Sequence, residues 1–117
     1  DSMPLFQPST IPHTITNGNV AVNPGVNNFD FRVESASNPN MFVVDSTNNR
    51  VGIGTSSPSA TFEVVGQVTI SGNKPLLLAS LTTAQRDALS ATNGMLIYNS
   101  TDEKFQGYQG GAWVDLA

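Results

Sequence analysis

The chain contains no cysteine, a single histidine and few charges, which make up 12 % of its 117 residues. Without cysteine there is neither a disulfide framework nor a thiolate metal site. His13 stands between Pro12 and Thr14 with no second ligand-type residue beside it. It reads as a solvated side chain, and no Ser–His–Asp set can be built around it. Positive charge is short: five Lys and Arg against nine Asp and Glu leave a net charge of -4. That excludes nucleic acid as a partner, because phosphate binding needs a basic surface. No run approaches the ~20 apolar residues of a membrane helix, and no segment has a signal-peptide pattern. Membrane insertion is therefore not expected. Carboxylates placed across a cleft, as a glycosidase needs, are also missing. Asp102 and Glu103 are neighbours on a turn, and Asp30, Arg32 and Glu34 alternate on what reads as a solvated strand face. These absences describe a non-enzyme with no cofactor.

Apolar residues are scarce too, at 38 %, while Asn, Ser, Thr and Gly abound. The balance is poor for a self-sufficient core, yet too uncharged and β-branched for a disordered tail. Chains of this kind gain the missing core by oligomerising. The chain opens with Pro4, Pro8 and Pro12, and Pro24 closes that region. Proline fixes φ and removes a donor, so the segment is extended. With Met3, Leu5, Phe6 and Ile11 it reads either as an arm laid on a neighbour or as a linker. Ile15–Val22 is a hairpin, because Asn17-Gly18 supplies the positive-φ pair that tight hairpins demand.

Residues 28–74 read as short strands and tight turns. Phe29, Phe31 and Val33 alternate with Asp30, Arg32 and Glu34, predicting a half-buried strand with a polar outer face. Met41-Phe-Val-Val44 is the next strand. Asp45, Asn48 and Asn49 cluster oxygen ligands, but their spacing fits an Asx-type turn rather than a calcium loop. Val51-Gly-Ile53-Gly resumes as a strand whose second face is bare, and the expected cover for so thin a strand is another chain. Gly52 and Gly54 lack the third glycine and the following helix of a dinucleotide fingerprint. Phe62-Glu-Val-Val-Gly66-Gln-Val68-Thr-Ile70 repeats the hairpin logic loosely.

Ser71–Pro75 is a module boundary. Beyond it, Thr82 and Gln85 form a capping box that opens a helix of about two turns within Leu81–Leu89. Its Leu81, Ala84 or Gln85, and Ala88-Leu89 side is expected to pack on a sheet. Met95–Tyr98, Lys104–Tyr108 and Ala112–Leu116 then read as a three-stranded meander with tips at 99–103 and 109–111. Asn99-Ser-Thr101 fits the glycosylation pattern, but a polar turn accounts for it more simply. The predicted divisions are an extended arm and first hairpin (1–27), a β-rich shaft (28–74), and a head of one helix and the meander (75–117). So small a head needs a partner.

The runs Phe29-Asp-Phe-Arg-Val-Glu34, Phe42-Val-Val-Asp45 and Asn49-Arg-Val-Gly-Ile-Gly-Thr-Ser-Ser-Pro58 resemble a pattern in tail-fibre and tail-spike proteins of bacteriophages. The stretch Leu81–Leu89, Asn93–Asn99, Lys104–Tyr108 and Gly111–Leu116 resembles a second module of that kind. The resemblance covers most of the chain from about residue 28. It implies a mainly β, elongated and intertwined homotrimeric fibre segment ending in a small head, on the virion or another extracellular surface, beside other tail proteins. In that setting Val51, Ile53, Phe62, Val64, Val68 and Ile70 would line the threefold core. Asn99, Asp102, Tyr108, Gln109 and Trp113 would be the head's contacts with a host glycan or protein receptor. The alternative is a carbohydrate- or surface-binding module of a secreted bacterial protein, for which a monomer with an aromatic-lined groove would speak.

Overall fold

A computed structural model describes residues 13–23 and 28–117. The proline-rich arm, with Met3, Leu5, Phe6 and Ile11, lies outside the described residues. The chain is mainly β and divides after Thr69 into two compact units.

The first unit contains two sheets. Strands β1 (His13–Thr16) and β2 (Asn19–Val22) pair antiparallel, with Thr16 opposite Asn19. The two-residue loop between them is Asn17 at φ 51° and Gly18 at φ 81°, the double positive φ of a type I′ turn. The second sheet has the order β3–β4–β5–β6, with β3 (Phe31–Val33), β4 (Phe42–Asp45), β5 (Arg50–Ile53) and β6 (Phe62–Val64). Asp45 closes the β4–β5 turn as expected of an Asx residue. Its Oδ1 accepts from the backbone N–H of Thr47 (3.1 Å) and Asn48 (3.2 Å), and Oδ2 accepts from the Asn48 amide at 2.8 Å. Asn49 follows at φ 57°, a conformation that asparagine tolerates.

Three expectations change here. The strand at Phe29–Glu34 shortens to β3 and is exposed on both faces, because it sits at the sheet edge and only β4 flanks it. The loose hairpin at 62–70 is absent: β6 instead pairs parallel with β5, and Val68 and Ile70 follow in irregular chain. The bare glycine face of β5 is covered by the chain itself. A Cβ on Gly52 would meet Thr55 O at 2.6 Å and Pro58 Cγ at 2.9 Å, so the turn Thr55–Pro58 folds directly over it. Arg50 fastens this turn by donating from Nη1 to Pro58 O at 2.9 Å. Opposite Gly52 in the register is Val43, which is buried.

The second unit is a four-stranded sheet of order β10–β9–β8–β7 with one short helix. β8 (Leu96–Asn99), β9 (Lys104–Gln109) and β10 (Ala112–Asp115) make the expected antiparallel meander. A short β7 (Ser80–Leu81) adds a parallel fourth strand beside β8. Helix α1 (Thr83–Asp87) carries the predicted capping box: Thr82 Oγ1 accepts from Gln85 N at 3.2 Å, and Gln85 Oε1 accepts from Thr82 N at 2.9 Å. It is shorter than expected and buries none of its residues. Its link to the sheet is polar rather than the expected Leu–Ala face, with Arg86 Nη1 donating to Gln106 Oε1 at 2.9 Å.

Candidate functional site

The register sorts each large sheet into two unlike faces. In the first unit, Phe31 and Val33 lie opposite Val44 and Phe42, Val44 lies opposite Val51, and Val51 and Ile53 lie opposite Phe62 and Val64. Paired residues share a face, so eight apolar side chains from four strands form one uninterrupted surface. None of the eight is buried, and Phe62 is 61 % exposed. Of the six residues predicted to line a threefold core, Val51, Ile53, Phe62 and Val64 are brought together here. Val68 and Ile70 are exposed beyond the end of β6.

In the second unit the polar face is closed by a hydrogen-bond network centred on Asn99, which is 0 % exposed. Its Nδ2 donates to Thr83 Oγ1 (3.1 Å), Asp102 Oδ2 (3.2 Å) and Gln106 Oε1 (3.1 Å). Its Oδ1 accepts from the backbone N–H of Thr101 (2.9 Å) and Asp102 (3.1 Å), forming the β8–β9 turn. Gln106 Nε2 continues the chain to Asp115 Oδ1 at 2.8 Å, and Lys104 Nζ reaches Asp115 Oδ2 at 3.0 Å. The Gln106 hydrogen bond and then the Lys104 ammonium hold the Asp115 carboxyl below the usual carboxylate range. Asp115 in turn raises Lys104. Asn99, expected among the surface contacts, is therefore an interior turn-former. Its amide has too many partners within the fold to be spent on a ligand.

The other predicted head residues stay near the surface. Tyr108 and Trp113 are cross-strand partners on this same polar face, ring centroids 5.2 Å apart in edge-to-face contact. The Tyr108 hydroxyl donates to Gly111 O at 2.9 Å, which fixes the ring against the β9–β10 tip. Both rings are half-buried, while Gln109 and Asp102 are exposed at the two tips.

The opposite face of this sheet is apolar and open. Leu96 and Tyr98 of β8, Phe105 and Gly107 of β9, and Val114 of β10 share it, and Leu116 follows. Phe105 is 55 % exposed and packs edge-to-face on Tyr98 at 5.1 Å. A Cβ on Gly107 would lie 3.2 Å from both Leu96 Cδ2 and Leu116 Cδ2, so these two leucines close over the glycine as a ridge. Beside the ridge, Leu76, Leu77, Leu78, Ser80, Tyr98 and Phe105 line a groove of about 390 Å³. Leu76, Leu77, Val114 and Leu116 were missed by the sequence reading, although the alternation in the meander strands carried the signal for Val114 and Leu116. Among the described residues no group of three or more His, Cys, Asp or Glu is placed to hold a metal.

Residues 52–117, more than half of the chain, match the family described as the phage tail like trimerisation region. The chain belongs to this family. The trimerisation region starts at Gly52 within β5 and takes in the whole second unit, so it contains β6, the Leu76–Leu78 run and the open face of the meander. No curated protein and no solved structure matches the chain.

Proposed function

We propose that the chain is a structural segment of a phage-type tail fibre or spike, assembled on the virion as a homotrimer beside other tail proteins. The observation that carries this is the inverted ratio of covered to open apolar surface. Among the described residues the buried apolar side chains are Val43, Ile97 and the ring of Pro58, while eighteen large ones are exposed. Contiguous apolar faces of that kind mark interaction surfaces, and the family supports copies of the same chain as the cover. In the first unit, Val51, Ile53, Phe62 and Val64 form the seam. The role is architectural and no catalytic step belongs to it.

Host contact falls to the tips of the head, through Gln109 with the Tyr108–Trp113 pair beside it at the β9–β10 tip, and through Asp102 at the β8–β9 tip on the opposite end of the sheet. Tyrosine and tryptophan present flat apolar area with a polar handle, which suits a glycan or a protein receptor. Light scattering tests the assembly: the expected mass is three times the 12.4 kDa of one chain. A stable, folded monomer at every concentration overturns it. Replacing Gln109 and Trp113 by alanine is expected to lower binding to host cells without changing that mass.

A further inference from the structure

We propose that the head carries its own seam, in which the Leu96–Leu116 ridge of one copy seats in the groove beside Leu76 and Leu77 of the next copy. This rests on the trimeric reading above and assigns the head a contact separate from the shaft. Three copies around an axis touch head-to-tail, so each must offer two different patches, one for each neighbour. The open face of the meander provides such a pair. The ridge lies over Gly107, and the groove lies on the β7 side of the same face, with Phe105 between them. When three such faces turn towards one axis, the ridge half of each meets the groove half of the next.

The chemistry selects another apolar protein surface as the occupant. The groove has the size of a small-molecule site, which runs ~300–1,000 Å³, but such sites have convergent polar groups. Here the Ser80 hydroxyl and the Tyr98 phenol are the only polar side-chain groups in the lining. No strand residue on this face is charged, so copies that each carry -4 meet there without like charges opposed. Leu77 is 91 % exposed and Leu76 66 %, which leaves two leucines in water unless a neighbour covers them. Gly107 keeps the ridge low: any side chain there would push both leucines away from the sheet.

Two variants test this beside the wild type. Leu77→Asp and Leu116→Asp are each expected to abolish the trimer at concentrations where the wild type is fully assembled. Because the chain lacks cysteine, a Leu77→Cys/Leu116→Cys double variant can be treated with a short bis-maleimide. It is expected to give a covalent trimer on a denaturing gel, while each single-cysteine variant stays uncross-linked. A trimeric wild type whose aspartate variants remain trimeric, or whose double-cysteine variant gives no covalent trimer, overturns the head seam and leaves the shaft reading standing. A monomeric wild type overturns both.

Discussion

At the scale of single residues, Gly52 and Asn99 show how little of this fold rests on apolar packing. Gly52 is under its own chain: a methyl there would come within 2.6 Å of a backbone oxygen, and backbone cannot yield as a side chain can. Gly52→Ala is expected to cost roughly 1–3 kcal/mol, the usual range for overpacking, measured by chemical denaturation. Asn99 is a polar residue doing the work of a core residue, since its amide joins β8, β9 and the Thr83 end of α1. Asn99→Ala leaves Gln106 Oε1 with one donor fewer and strips the backbone N–H groups of Thr101 and Asp102 of their shared acceptor. The expected loss is about 1–3 kcal/mol, the cost of leaving buried polar groups unpaired. It should be accompanied by faster amide exchange at Thr101 and Asp102.

At the scale of elements, the legible parts were those set by neighbouring residues. Asn17-Gly18 dictates its turn, Asp45 makes an Asx turn within three residues, and Thr82 with Gln85 caps a helix from within its own first turn. The meander follows for the same reason. The parallel pairings of β5 with β6 and β7 with β8 were not legible, because no turn residue encodes them. Val51 meets Phe62 only after Thr55–Pro58 has folded back over Gly52, and nothing in the alternation of Phe62–Ile70 distinguishes that from a hairpin. The site was legible in part for a related reason. Alternation placed Val51, Ile53, Phe62 and Val64 on one face, but it could not tell that Asn99 points into the sheet's polar side. Phe62 offers a test of the exposed face of β6. In a lone chain a residue so exposed contributes within about 0.5 kcal/mol, whereas a covered phenylalanine is worth roughly 3–5 kcal/mol. Phe62→Ala is expected to show the larger figure in the wild-type assembly and the smaller one in any variant held monomeric.

At the scale of the whole molecule, stability depends on pH through a few surface and turn groups. Asp45, held down chiefly by the Asn48 amide, and Asp115, held down chiefly by Gln106, both favour their ionised forms in the fold. Their support is complete above the unfolded carboxylate value of about 4 and is lost as pH falls through the lower folded values. Lys104 is raised by Asp115, so its support is complete below the ordinary lysine value of about 10.4 and is lost as pH rises through the higher folded value. Thermal melts are expected to plateau from about pH 5 to about pH 9 and to drop on either side. Asp115→Asn should flatten both edges. A melting temperature unchanged down to pH 2 would contradict the hydrogen-bond assignments at Asp45 and Asp115.

Trp113 is the only tryptophan of the chain, and its nearest aromatic neighbour is Tyr108 across the strand pair. Its fluorescence therefore reports on the second unit alone, whereas far-ultraviolet dichroism averages over every strand in both units. Comparing the two signals during denaturation gives a ready optical measure of whether shaft and head melt as a single cooperative body. Coincident curves would mean that the two units unfold together; separate curves would mean that the second unit can unfold and re-form while the strands of the first stay paired.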